Sequence, residues 1–264
     1  MTFQLFGQLV RLLMKEKMQY RGDFLLSAVA QIISYAGDYI VIYLFIKRFD
    51  TLAGWNWPEI ALLYSIGLFT YALGASFSFV QMSQLEGQVR QGTFDTLLIK
   101  PVNPYLYLVS RGFNLAYIAH ITISGSVLVW AMLQLNLHWT WIQYIYLLIA
   151  IISGSMIHAG IMTMIGAMSF IWVRSSYLFS LFFQLKNFIS YPLPVFGTVV
   201  QLLLTVVVPL GFVNFYPAAY LLDNDTALMP AWAMWLVPLA GPIVYGLGYR
   251  FWMFGANKYQ GAGG

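Results

Sequence analysis

Cysteine is absent from the 264 residues, and charge is scarce: only 8% of positions are Asp, Glu, Lys or Arg. Without cysteine there is no disulfide framework, no thiol nucleophile and no Cys-ligated metal. A soluble domain carries about 25% charged residues. Here 60% of residues are hydrophobic, more than so short a chain can bury in a soluble core, so lipid must be the solvent for most of it. No G-x-x-x-x-G-K-S/T run occurs, so the chain has no nucleotide-binding loop of its own. No H-E-x-x-H occurs, and His120, His138 and His158 have no acidic residue at ligand spacing, which argues against a zinc site. Ser153 and Ser155 have no acidic partner for a hydrolase, so no catalytic, cofactor-binding or metal-binding residue is assigned. Disorder is excluded by an aromatic content of 18%, and nucleic-acid binding by a net charge of only +4 spread along the chain.

What is present is a series of long apolar runs. A helix of about 20 residues crosses a hydrocarbon core of about 30 Å. Residues 24–46 and 60–82 meet that requirement. Residues 112–173 hold no formal charge, and their only polar break is Gln134-Leu-Asn136-Leu-His138-Trp-Thr140. They supply spans at 106–133 and 142–172. A fifth span is expected at 177–199. Residues 200–222 are uncharged but contain Pro209 and Pro217, and read as a bent, re-entrant pair of short helices. The last span is 232–254. The fold class is an all-α polytopic membrane protein with six transmembrane helices, an N-terminal interfacial amphipathic helix and short re-entrant helices before the last span.

Charge asymmetry orients it. With both termini cytoplasmic, ten Lys/Arg residues lie inside and only Lys47 and Arg48 outside, with Lys186 inside span five. A seventh crossing at 200–222 would move Arg250 and Lys258 outside and weaken this bias. Trp55/Trp57, Trp139/Trp141 and Trp232/Trp235 each precede an even-numbered span, which places all six at the outer interface. Residues 1–22 lack the apolar core and cleavage site of a signal peptide. Gln4, Gln8, Arg11 and Lys15 form one stripe and Phe6, Leu9, Val10 and Leu13 another, as in a helix lying on anionic headgroups. The alternative is a flank that only orients the first span.

Two charges fall within spans, where each is costly. Asp38 lies roughly 21 Å into the first span and shares a helical face with Gln31, Ser34 and Tyr35. Lys186 lies roughly 14 Å into the fifth, with Asn187 beside it. Asp38, Lys186, Gln31, Tyr35 and Asn187 are candidates for a translocation path or an intramembrane pair. A structural ion pair or a snorkelling lysine is the other reading.

Residues 84–104 form the densest charge cluster between spans. Thr93 is expected to cap a short helix with Asp95 in its first turn. Lys100 lies near its end and Pro101 stops it. Phe94, Leu97 and Leu98 supply an apolar edge, and Glu86, Arg90, Asp95 and Lys100 supply charges. Together they suggest a docking surface for a partner; an ordinary solvated loop is the other reading.

Gly92-Thr-Phe-Asp-Thr-Leu-Leu-Ile-Lys-Pro-Val-Asn-Pro104 resembles the loop after the second span of ABC-2 type permeases, particularly a bacterial subfamily once of unknown function. Asn257-Lys-Tyr-Gln-Gly-Ala-Gly263 is similar to that subfamily's ending. The resemblance implies a permease subunit of an exporter in a bacterial-type inner membrane, paired with a second permease, identical or homologous. Two separate nucleotide-binding subunits would carry ATP and Mg. The substrate would be hydrophobic, amphipathic or lipid-linked, with membrane lipid around it. The resemblance also implies that the N-terminal helix and the loop contact the ATPase, which implicates Arg11 and Lys15 beside the residues of 84–104. A stand-alone ion-coupled carrier or a membrane scaffold is the alternative.

Overall fold

The computed structural model describes residues 21–110, 112, 114, 116–172, 174–224 and 228–261. Arg11 and Lys15, with nearly all of the expected interfacial helix 1–22, lie outside the described residues, as do Arg111 and Asp225. Among the described residues the regular structure is helical, apart from one isolated antiparallel bridge between Leu52 and Trp55.

Helix α1 spans Arg21–Phe49 and α2 spans Trp57–Arg90. The start of α2 is written in its first residues. The Asn56 side chain accepts the Glu59 N–H at 3.1 Å, Glu59 accepts the Asn56 N–H at 2.8 Å, and Pro58 presets the first turn. At 34 residues α2 is roughly 51 Å long, about 20 Å more than the hydrocarbon core needs. It therefore runs on past the hydrocarbon core and carries Glu86 and Arg90 out of it. Among the described residues, four helical stretches are long and apolar enough to cross: Val29–Phe49, Trp57–Arg90, Tyr117–Gln134 and Trp141–Phe170.

Helices α3 (Asp95–Leu98) and α4 (Pro104–Ser110) follow, then α5 (Tyr117–Gln134) and α6 (Trp141–Ala167). The expected unbroken helix 106–133 is thus divided. Asn114 donates its N–H to the Ser76 carbonyl of α2 at 2.9 Å, and its side chain accepts the Ala116 N–H at 3.0 Å. An asparagine that turns the chain onto its own backbone competes with helix continuation. Helix α7 covers only Tyr177–Phe188, whereas the expected helix runs on to 199. Pro192 and Pro194 lack the N–H groups that would continue the ladder. Residues 198–222 form helical pieces: α8 (Thr198–Leu202) continued by a wide π-turn Leu203–Val207, and α9 (Phe215–Leu222) beyond Pro209. Helix α10 is Val237–Lys258.

α2 is the central column. Of its most apolar window 83% is buried, against 17% for the window of α1, which lies at the periphery. α5 and α6 pack on α2, and α10 packs on the other side of α6. α6 can be sandwiched this closely because the run Gly154-Ser-Met-Ile-His-Ala-Gly160 presents small residues to both neighbours. A Cβ on Gly160 would sit 2.8 Å from the Val244 carbonyl of α10. The Ser153 hydroxyl is consumed structurally: it donates to the Val237 carbonyl and accepts the Gly241 N–H at 2.9 Å.

A clamped loop and an intramembrane polar cluster

The segment 84–104 is bound to the helix ends rather than projecting from them. Gly92 turns the chain at φ +70°, and the Phe94 N–H returns to the Gln88 carbonyl at 3.2 Å. Two sequence expectations are corrected here. Thr93 does not cap α3: its hydroxyl donates back to the Gln88 carbonyl at 3.3 Å, and the residue at the cap is Phe94, with no side-chain hydrogen bond. Phe94 is not a surface knob: it is 0% exposed, with ring centroids at 5.1 Å from Phe170, 5.2 Å from Tyr259 and 6.0 Å from Trp252. Leu97 is buried as well. The ring of Phe94 gains more from this aromatic pocket at the ends of α6 and α10 than from a water-facing loop. The exposed apolar edge consists of Leu98, Val102, Leu106 and above all Ile99, which is 82% exposed.

The charges are tied down too. Glu86 Oε2 accepts the backbone N–H groups of Ser175 and Ser176, each at 2.7 Å, so it latches the end of α2 to the start of α7. Nothing local marks this contact in sequence, since the partners are 89 and 90 residues apart. Lys100 hydrogen-bonds the Tyr107 hydroxyl, with its ammonium 4.2 Å over that ring. Asp95 lies against the C-terminal tail, where a Cβ on Gly261 would be 3.0 Å from its Oδ2. Asn103 caps α4 through the Leu106 N–H at 3.0 Å and donates to the Tyr249 hydroxyl of α10 at 2.9 Å. Tyr105, also buried, reaches Thr163 at 3.2 Å and Tyr245 at 3.1 Å. Asn103 and Tyr105 carry this pinning, and sequence reasoning singled out neither. Arg90 remains on the exposed side of α2.

The second site lies within the bundle, on one face of α2. Tyr64 and Tyr71 are seven residues apart, two helical turns, and so point the same way. The Tyr64 hydroxyl donates to Asp38 at 3.1 Å, and one residue along each helix the Tyr39 and Ser65 hydroxyls meet at 2.8 Å. Lys186 does not meet Asp38 head-on: its ammonium lies 4.4 Å over the Tyr71 ring. The Tyr71 ring also faces His158 at 5.6 Å and Tyr117 at 5.9 Å, and its hydroxyl lies 3.4 Å from that of Tyr117. Tyr35 stacks edge-on against His120 at 4.7 Å. The structure thus brings Asp38, Tyr35 and Lys186 to one aromatic wall. Gln31 lies further along α1 with a buried, unpartnered Oε1, and the Asn187 side chain is exposed, away from the wall. His158, 0% exposed with neither ring nitrogen hydrogen-bonded, was missed as a member of this cluster. Its spacing of four residues from Gly154 reads only as helix packing.

The family described as ABC-2 family transporter protein matches residues 32–263, nearly the whole described chain. The chain belongs to the ABC-2 transporter family. Comparison with curated proteins gives no match. This ABC-2 protein is therefore a multi-pass membrane protein and a component of a membrane transporter, not itself an ATPase. Within it the loop whose motif resembles the family's loop after the second span is the clamped one.

Proposed function

We propose that the protein is the permease half of an exporter whose ATP is hydrolysed by a separate subunit. Two permeases pair, two nucleotide-binding subunits dock on the cytoplasmic side, and a hydrophobic, amphipathic or lipid-linked substrate leaves the cytoplasm. The chain crosses six times with both termini inside, counting α7 with the turns after it and α10 as the fifth and sixth crossings. Residues 200–222 form the re-entrant outer segment.

One observation carries this reading: the loop after α2 and the helix end that bears it are both joined to the bundle. Phe94 seats the loop against α6 and α10, and Glu86 joins the end of α2 to α7. Lys186 lies on α7, with its ammonium over Tyr71 of α2. A push on the exposed Leu98–Ile99 edge is passed to α7 and to the polar wall. The partner-contact role therefore falls to Leu98, Ile99, Asp95 and Lys100, beside Arg11 and Lys15 of the N-terminal segment. Glu86, Phe94 and Leu97 transmit. Asp38, Tyr35 and Lys186 border the path or the seam between the two permeases, since an exposed carboxylate within a span must face protein or water.

Affinity purification of the tagged permease from native membranes in mild detergent tests this. A co-purifying ATPase, with ATP hydrolysis lost on Ile99→Asp, is the expected result. Transport by the purified chain alone, driven by an ion gradient without ATP, would establish the stand-alone carrier instead.

A further inference from the structure

Beside the clamped loop lies a groove of about 390 Å³, lined by Glu86, Arg90, Ile171, Trp172, Lys258 and Tyr259 among others. That volume lies within the roughly 300–1,000 Å³ of small-molecule sites. Among its lining residues two cations face one carboxylate. The one carboxylate, Glu86, is turned to α7, where Ser175 and Ser176 donate to it. Arg90, one turn further along α2, lies close enough for its charge to act on Glu86 as well, and the Lys258 ammonium rests 4.4 Å over the Phe254 ring, so the groove keeps one net positive charge at the exposed ends of α2 and α10. The rest of the wall is mainly apolar, with Ser169 and Gln260 as its polar members, and its apolar part is open: Ile171 is 54% and Trp172 47% exposed. Both stand just past the last turn of α6, at the level where the membrane-crossing stretch Trp141–Phe170 ends. Tryptophan at such a level marks the lipid interface, and paired basic residues between helix ends there suit a lipid headgroup. A soluble anion would use the cations and leave the indole unexplained.

We infer that this groove binds an anionic phospholipid, its phosphate held by Arg90 and Lys258 and its acyl chains running along Ile171 and Trp172. The assignment of the groove to the cytoplasmic leaflet rests on the topology proposed above. The lipid site itself does not.

The test is native mass spectrometry of the detergent-purified permease titrated with phosphatidylglycerol or phosphatidylcholine of identical chains. Wild type retains phosphatidylglycerol preferentially. Arg90→Gln with Lys258→Gln lowers that retention about 30-fold, near fivefold for each charge. The exchange Arg90→Lys with Lys258→Arg keeps it, which separates loss of charge from misfolding. Lys47→Gln with Arg48→Gln, at the opposite membrane face, leaves it unchanged. Equal retention of both lipids, or equal loss in the Lys47/Arg48 control, would overturn the site. So would inorganic phosphate at millimolar concentration displacing the lipid completely, which would assign the groove to a soluble anion. Wild-type lipid retention in the Arg90/Lys258 double variant, with ATPase association lost, would overturn it in favour of partner docking. A detergent micelle has no inside or outside, so failure of the topology is read separately: external labelling of Gln91→Cys would reverse the orientation and leave the lipid site standing.

Discussion

Replacing Glu86 with alanine removes the latch between α2 and α7 and leaves both helices otherwise intact. Two backbone N–H groups, at Ser175 and Ser176, then lose their acceptor. Hydrogen bonds to a charged group contribute about 1.5–3 kcal/mol each. Glu86 is half-exposed and water competes for these donors, so about 1 kcal/mol per bond is the better figure, or about 2 kcal/mol together. This converts to roughly 30-fold faster opening of the first turn of α7. Hydrogen–deuterium exchange resolved to residues 175–178 is the assay. The amides of Ser175 and Ser176 should lose protection by about that factor, while the amides of α6, which the latch does not touch, keep theirs. Glu86→Gln retains a carbonyl oxygen at the same reach and loses only the charge and its favourable position at the start of α7, so its effect should stay within about fivefold. Unchanged exchange at 175–176 in the alanine variant would refute the latch and, with it, the transmission route through α7.

The loop's two apolar faces separate by experiment. Phe94→Ala opens a cavity among Phe170, Trp252 and Tyr259 and should cost about 3–5 kcal/mol, read as a lower thermal midpoint in detergent and altered tryptophan emission. Ile99→Asp, at an exposed position, should leave that midpoint unchanged while weakening ATPase association. In the polar wall, a double-mutant cycle of Asp38→Asn with Tyr64→Phe should show a coupling of about 0.5–3 kcal/mol in thermal stability. Asp38→Asn with Lys186→Gln should be more nearly additive, since the lysine lies on Tyr71. A larger coupling for the second pair would restore a direct ion pair.

The short helix at 95–98 is legible because its signals are local: Asp95 in the first turn, an apolar pair, and Pro101 beyond. Which side of it faces water is not local. Phe94 and Leu98 are both apolar, and composition cannot rank them as buried or exposed. The pocket that takes Phe94 is assembled from Phe170, Trp252 and Tyr259, up to 165 positions away. Glu86 illustrates the same limit with charge. A carboxylate beside a cytoplasmic loop reads as a partner contact, until the fold brings two unpaired N–H groups within 2.7 Å of it.

Membrane residence was determined by the sequence alone, because transfer of apolar residues from water to hydrocarbon is additive along the chain and needs no knowledge of neighbours. Kinship was also readable from the loop motif and the tail, which are contiguous. Helix breaks were half-readable: the prolines after α7 announce one, whereas the interruption before α5 depends on Asn114 finding the Ser76 carbonyl. The meeting of Lys186, His158 and Tyr71 was decided by tertiary structure only. These residues lie on three helices far apart in the chain, and which faces meet depends on how closely α6 can approach α2, a matter of small residues and crossing geometry rather than hydropathy.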